Sequence, residues 1–274
     1  MSVLSNENPV LRAELKHQRH VINTSRAGRV WSLVALALLA PAFIVSLAHI
    51  IEAFTGLDLI GPAVPGQATV GNLSFGLLVT MNLALYLVVT LITMGLAASS
   101  IHREQEGRTW ESLLLTTLDP RAIIYGKWWA TLRALWGDHL MVGWLRLGLV
   151  AWLAVSLASF QQSPDARPDV PLLLLAFAII TAFTVVDAGF SAALGLLSPL
   201  LAPGNSLLIG VLVARLIVSV LIVVGCVLMA NLFAPSLWAA LLSTLIVLGL
   251  LALLTWGTLG LAQRLATPRR RASP

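Results

Sequence analysis

Side chains that could do chemistry are concentrated in one short stretch of this chain. Asp, Glu, Lys and Arg make up only 11% of the 274 residues, yet the segment from Arg103 to Pro120 reads REQEGRTWESLLLTTLDP. Three glutamates and two arginines are interspersed in its first half. Charges of both signs favour contact with another protein, because a helix that binds an anionic membrane would be richer in lysine.

The apolar residues of this stretch follow helical spacing. If residues 104–118 form a helix, one mostly apolar stripe contains four residues: Trp110, Leu113, Leu114 and Thr117. Asp119-Pro120 would end the helix, because a residue before proline avoids the helical region. The sequence therefore predicts a short helix with one apolar and one charged side. Such a helix lies flat on lipid headgroups or docks on a protein, and the glutamates favour a protein.

No ATP site is expected in this chain. A phosphate-binding loop needs G-x-x-x-x-G-K followed by Ser or Thr, because backbone amides hold the phosphates and the hydroxyl binds magnesium. The Gly126-Lys127 pair is followed by Trp128. Any ATP and magnesium that serve this protein are therefore expected in another chain, and no cofactor is expected in this one.

Catalytic and metal sites are not indicated either. Ser191 lies in an apolar run, but a nucleophilic serine needs a base within hydrogen-bond reach, and neither His49 nor His139 has a sequence context that provides one. Small residues around Ser191 are better explained as a helix-packing surface. The histidines are too scattered for a metal site, and the single cysteine, Cys226, cannot form an intrachain disulfide.

Two charged residues, Asp187 and Arg215, lie deep within apolar runs. An unpaired charge inside a membrane costs several kcal/mol, so these two residues are predicted to pair. A structural pair between neighbouring helices is the simpler interpretation, and a substrate or ion site is the alternative.

Long apolar segments surround these residues. Hydrophobic residues make up 58% of the chain, and its mean hydropathy is +0.90, which is typical of an integral membrane protein. A bilayer core of about 30 Å needs roughly 20 apolar residues per helix. The sequence predicts an all-α polytopic membrane protein with six transmembrane helices. The predicted spans are Trp31 to Ile51, Leu73 to Ser99, Leu140 to Phe160, Leu172 to Leu200, Leu207 to Ala230 and Leu237 to Leu261.

Basic residues predict the orientation. Residues 1–30 and 101–133 carry five each and residues 264–274 carry four, whereas the opposite loops carry only Arg167. The positive-inside rule then predicts both termini and the charged loop on the cytoplasmic side of the plasma (inner) membrane. These basic residues flank span ends, so the pI near 10.3 indicates contact with membrane lipids and not with nucleic acid.

The run SSIHREQEGRTWESLLLTTLDPRAIIYGKWWATLRAL resembles the cytoplasmic loop of type-2 ATP-binding-cassette transporter permeases. That family carries an ERE-x-GT-x-E-LL-x-T-P-L-S pattern followed by R-x-I-x-x-GK. The matching positions are Arg103, Glu104, Glu106, Gly107, Thr109, Glu111, Leu113, Leu114, Thr116, Leu118, Arg121, Ile123, Gly126 and Lys127. The segment NPVLRAEL, residues 8–15, is also similar to the start of such permeases, where a helix lies along the membrane.

This resemblance implies a coupling helix between spans two and three that docks on an ATPase subunit. Its predicted contact residues are Glu104, Glu106, Gly107, Thr109, Trp110, Glu111, Leu113 and Leu114. It also implies an N-terminal interface helix in residues 1–30, a transmembrane domain in 31–264 with the coupling loop at 101–127, and a basic tail in 265–274. Because six spans form half of the family's pathway, a second identical or different permease chain is expected.

Two features depart from the family pattern. The order Leu118-Asp119-Pro120 shifts the usual proline, and Asn231 to Ser236 is too short for the external re-entrant helices of better-known exporters. Two other functions remain open. The chain could be a structural or docking subunit of a larger complex, or a secondary transporter, although no internal repeat supports the latter.

Overall fold

The structure is a computed structural model that describes residues 8–24, 26–61, 69–115, 118–160, 168–201, 209–220 and 237–267. Every regular element in these ranges is an α-helix, so the predicted all-α class is confirmed. The predicted loop Asn231 to Ser236, the single cysteine Cys226 and most of the basic tail lie outside the described ranges. The helices are α1 (Pro9–Thr24), α2 (Arg26–Thr55), α3 (Val70–Glu106), α4 (Thr109–Leu114), α5 (Pro120–Ala134), α6 (Trp136–Phe160), α7 (Val170–Leu201), α8 (Ile209–Val220) and α9 (Leu237–Ala266).

Among the described residues, five helical segments are long and apolar enough to cross a membrane. They are Ala37–Thr55, Val70–Glu106, Trp136–Ala158, Val170–Leu201 and Thr244–Ala266, within α2, α3, α6, α7 and α9. The predicted span Leu207 to Ala230 is covered only by α8, since residues 207–208 and 221–230 lie outside the described part. This set of helices is expected of a protein embedded in a membrane.

Helix α3 continues well beyond the predicted end of the second span at Ser99. At a rise of about 1.5 Å per residue, its 37 residues extend about 55 Å, which exceeds a bilayer core of about 30 Å. The charged start of the opening motif therefore belongs to this helix. The prediction of one helix over residues 104–118 is wrong, because Arg108 adopts a left-handed conformation with φ of 53° and separates α3 from α4.

Local capping explains where the next helix begins. Asp119 accepts a hydrogen bond from the Arg121 amide at 2.9 Å, and Pro120 occupies the first helical position of α5. Proline is tolerated there because that position has no intrahelical partner for an amide. The Asp119-Pro120 pair thus starts α5, while α4 has already ended at Leu114.

The chain divides into two compact units. Unit 1 comprises Met1–Ile22, Thr90–Trp136 and Val185–Pro274. Its buried core is formed by α3, α5, α7 and α9, with α5 packed against α9. The predicted packing surface of small residues on α7 is confirmed, since Ala192 and Ala193 are fully buried and a Cβ on Gly195 would lie 2.6 Å from the Met94 carbonyl oxygen.

Unit 2 comprises Asn23–Val89 and Gly137–Thr184. Leu39, Leu78 and Leu145 form one buried cluster between α2, α3 and α6, and Ala53, Ala151 and Leu173 form a second cluster that includes α7. The guanidinium of Arg146 lies 5.1 Å from the ring centres of both Tyr86 and Phe183 and donates to Thr184 at 3.0 Å. Cation–π contacts of this kind stabilise a charge within an apolar region.

Substitution of Gly195 tests the close approach of α3 and α7 in unit 1. We expect Gly195→Ala to lower the free energy of unfolding by about 1 to 3 kcal/mol, because the new methyl group forces two helix backbones apart. Gly249→Ala on α9 is the matched control, since nothing lies within 4 Å of its new Cβ and alanine favours a helix. Thermal unfolding of the purified chain in detergent measures both, and equal stability of the two variants would contradict this packing.

Candidate functional site

The predicted coupling residues surround the six-residue helix α4. Trp110 is half-buried and packs against the core cluster of unit 1. Leu113 is also half-buried and lines a groove of about 340 Å³ together with Val10 and Ala13 of α1. The apolar side of α4 therefore faces its own chain, and these contacts attach α4 to the rest of unit 1.

The remaining predicted contact residues are mostly on the surface. Glu106, Gly107, Thr109 and Glu111 are exposed, and Glu106 pairs with His102 of the same helix at 3.0 Å. The side chain of Leu114 is outside the described part of the structure.

Leu115 was not among the predicted residues, yet it is 84% exposed. Leu115 is the C-cap of α4 and has backbone angles of the helical region, so it does not share the side of the helix on which Trp110 and Leu113 lie.

Lys127 connects this loop to the N-terminal helix. Its ammonium group is fully buried and donates to Glu104 at 2.7 Å, to the Ser100 carbonyl at 3.0 Å and to Glu14 of α1 at 3.2 Å. An ammonium group has three N–H donors, and all three have acceptors here. Glu104, a predicted contact residue, therefore forms an ion pair within the chain through one of its carboxylate oxygens.

Glu14 is the second centre of this network. It is 4% exposed, and the same oxygen that receives Lys127 also receives Arg103 at 2.9 Å. Its other oxygen accepts from Gln18 at 3.1 Å, and Gln18 also donates to Thr131 of α5 at 3.2 Å. Two carboxylates and two basic groups balance in charge, which is the condition under which buried charges are tolerated.

Close backbone contact completes the attachment of α1 to α5. Asn8 caps the start of α1 through the Val10 amide at 3.0 Å, and its amide group donates to the Ala122 carbonyl at 2.9 Å. A Cβ on Gly126 would lie 3.0 Å from that Asn8 amide nitrogen. We define the α1 bracket as the four residues that make these polar contacts across helices: Asn8, Glu14, Gln18 and Lys127.

Sequence reasoning missed the α1 bracket, although its signal was present. Gly126 and Lys127 match the family pattern, and in the structure Gly126 lies against α1 while Lys127 contacts both α1 and α3. Asn8, Leu11, Glu14 and Gln18 recur at three- and four-residue spacing and form the buried face of α1. Three of these four residues are polar, and polar groups on a buried helix face predict partners elsewhere in the fold.

The structure brings Asp187 and Arg215 together in a buried ion pair. Arg215 also donates to Ser219 at 2.8 Å and to Ser191 at 3.2 Å, and its guanidinium lies 5.1 Å from the ring centre of Phe190. Each part of the guanidinium therefore has an acceptor or an aromatic face. Such complete satisfaction is what a structural pair needs, and the ion or substrate site stays an alternative.

His49 has a serine within reach that the sequence did not indicate. Its Nε2 lies 2.9 Å from the Ser74 hydroxyl, and its Nδ1 lies 2.7 Å from a Glu52 oxygen. The order serine, histidine, carboxylate matches a nucleophile, its base and an orienting group. However, the Ser74 hydroxyl donates to the Gly71 carbonyl at 2.7 Å, so its proton is directed away from His49. This geometry does not activate the serine.

Comparison of the chain with protein-family models, with curated proteins and with solved structures gives no match.

Removal of the Lys127 charge tests the α1 bracket. We expect Lys127→Met to release α1, because Glu14 and Glu104 lose their shared cation and breaking a buried pair costs about 3 to 5 kcal/mol. Hydrogen exchange of the α1 amides should then accelerate by about a hundredfold or more. Arg121→Met is the control, because it removes an exposed cation from the same helix. Unchanged protection of α1 in Lys127→Met would show that the pair does not hold this helix.

A double-mutant cycle tests the Asp187–Arg215 pair. We expect Asp187→Leu and Arg215→Leu each to destabilise the chain by about 3 to 5 kcal/mol, since each leaves one buried charge alone. The double variant should be more stable than either single variant, because both charges are absent. Thermal unfolding in detergent gives the coupling. Additive losses would rule out a structural pair, whereas a stable double variant that lacks transport would favour the ion or substrate site.

Proposed function

We propose that the chain is the transmembrane permease subunit of an ATP-driven exporter, in which a separate ATPase subunit binds ATP and Mg²⁺ and drives substrate across the membrane. The observation that carries this proposal is the attachment of α4 to unit 1. Trp110 and Leu113 hold one side of α4 against the chain, while Glu111 and Leu115 on the other side are exposed. A short helix that is held firmly and exposed on one face suits the transfer of force from a partner.

The proposed path of force runs through unit 1. When two ATPase subunits close on ATP, they push on the exposed side of α4. Trp110 passes the displacement to the core cluster that includes Leu196 of α7 and Leu259 of α9. The α1 bracket makes α1 move with α3 and α5, because Lys127 is bonded to both Glu14 and Glu104. A rigid connection is needed, since a flexible loop would absorb the movement.

The proposal includes the finer features that the sequence and the family resemblance predict. The permease would cross the plasma membrane six times with both termini in the cytoplasm, and it would pair with a second permease chain to complete the pathway. Glu104, Glu106, Gly107, Thr109 and Glu111 would lie at or beside the ATPase contact. The exposed arginines at span ends would bind anionic lipid headgroups.

Co-purification from native membranes tests this proposal. A tagged full chain should recover an ATPase with Walker motifs in equal amount, and reconstitution of the two should give ATP hydrolysis coupled to transport. Recovery of structural or redox subunits alone would replace the proposal with a docking subunit. Transport that depends on an ion gradient without any ATPase would replace it with a secondary transporter.

Two variants of α4 should separate binding from force transfer. Leu115→Asp should reduce recovery of the ATPase by about tenfold or more, because a charged group replaces an exposed apolar contact at the interface. Trp110→Ala should keep most of the ATPase but lose coupled hydrolysis, since it detaches α4 from the unit 1 core. Arg108→Ala, an exposed charge beside them, is the control and should have a small effect. Coupled hydrolysis at the wild-type level in Trp110→Ala would contradict the proposed path.

A further inference from the structure

An aromatic and cationic patch lies on unit 1 where α5 packs against α9. Tyr125 of α5 is buried, whereas Trp256 of α9 is 60% exposed, and their ring centres are 6.1 Å apart. The guanidinium of Arg121 lies 5.6 Å from the centre of the Tyr125 ring. Because an aromatic face attracts a cation, Tyr125 holds the exposed Arg121 close to α9.

Helix α9 contributes a second cation to this patch. Arg264 lies in the last turn of α9 and is exposed. Trp256, Gly260 and Arg264 are four residues apart in turn, and side chains at that spacing lie on the same side of a helix. A Cβ on Gly257 or on Gly260 would have nothing within 4 Å. The surface of α9 between the indole and the guanidinium is therefore open.

The depth of these residues matches the two parts of a phospholipid. Arg264 lies at the end of the apolar segment Thr244–Ala266, and a long basic side chain at such a position reaches the headgroups. Trp256 lies eight residues earlier, which is about 12 Å along the helix, at the depth of the acyl chains. Leu253, one turn further, is 70% exposed. The same side of α9 can therefore contact a charged headgroup and an acyl chain.

The charges of the patch favour an anion. Arg121 and Arg264 carry two positive charges, and Asp119, the acidic residue next to them on α5, directs one carboxylate oxygen to the Arg121 amide at 2.9 Å. Together these three residues are net positive, which attracts an anionic headgroup. A soluble phosphate would meet the same charges, but it would gain nothing from the exposed Trp256 and Leu253. A lipid uses both the cations and the apolar surface.

We propose that Arg121, Trp256, Gly260 and Arg264 form a binding site for one anionic phospholipid. The headgroup contacts the two guanidinium groups, and an acyl chain lies over Gly260 against the indole of Trp256. The site differs from general attraction of basic residues to a membrane, because it holds a single lipid at one place on α9. It does not depend on the proposed ATP-driven function, since it needs only a bilayer around unit 1.

Native mass spectrometry of the full chain in a neutral detergent tests this site. The chain is titrated with phosphatidylglycerol and with phosphatidylcholine that has the same acyl chains, and the affinity for the first bound lipid is measured. The wild-type chain should bind phosphatidylglycerol more tightly, because two cations near an anionic headgroup contribute roughly fivefold each. Equal affinity for the two lipids would overturn the proposal without any variant.

Removal of the two cations distinguishes a site from general charge attraction. Arg264→Gln should weaken the binding of phosphatidylglycerol by about fivefold, and the double variant Arg121→Gln/Arg264→Gln by about twentyfold. Arg108→Gln is the matched control, because it removes one exposed arginine that lies outside the apolar segments, and it should change the affinity by less than about twofold. A loss in Arg108→Gln equal to that in Arg264→Gln would overturn the site.

Gly260→Leu tests the position of the acyl chain without a change of charge. The new side chain enters open space, so the fold should be kept, but it occupies the surface on which the lipid lies and should weaken binding by about fivefold. Gly249→Leu is the matched control. It also enters open space, but it lies 15 residues from Arg264, about 22 Å along the helix, which exceeds the half-thickness of a bilayer core of about 30 Å. Equal binding by the two variants would overturn the proposed position.

Inorganic phosphate distinguishes a lipid from a soluble anion. Added at the same concentration as phosphatidylglycerol, it should leave the lipid bound, because it gains nothing from the apolar surface beside Trp256. Displacement of the lipid by phosphate at that concentration would show a site for soluble anions and overturn the proposal.

Discussion

The buried ammonium of Lys127 requires carboxylates from two other helices, and this requirement fixes how α1, α3 and α5 meet. A lone buried lysine would be strongly destabilising. Here Glu14 and Glu104 neutralise the ammonium group, and the Ser100 carbonyl accepts its third hydrogen bond. Gly126 allows α1 to approach closely enough for these bonds to form. The N-terminal helix is therefore an integral part of unit 1, and its position is set by charge as well as by apolar packing.

The charged residues of the motif and Lys127 fall into two groups by the direction of their side chains. Glu104 and Lys127 point inward and hold helices together, whereas Glu106 and Glu111 point outward. Glu104 and Glu106 differ in direction because residues two positions apart on the same helix do not share a side, and Arg108 separates both of them from Glu111 on α4. One sequence motif thus supplies both buried residues that join helices and exposed residues on the surface.

Both units contain buried polar side chains that are paired with a partner on the chain. In unit 1, Asp187 and Arg215 neutralise each other among hydroxyl groups, and in unit 2, His49 lies within hydrogen-bond distance of both Glu52 and Ser74. Apolar helices gain little specificity from packing alone, since any Leu surface fits another in lipid. Pairing of polar groups fixes which helix faces meet.

Local chemistry in the sequence was sufficient for the helical class and for most apolar segments, whereas Asp119-Pro120 was expected to end a helix and instead starts α5. These features depend on residue spacing, on backbone limits at proline and on the thickness of a bilayer. Only the tertiary structure decided that α3 passes Ser99, that Leu115 is exposed at the end of α4, and that Lys127 binds α1. The physical reason is that ion pairs between residues more than a hundred positions apart, such as Glu14 and Lys127, leave no periodic signal in the chain.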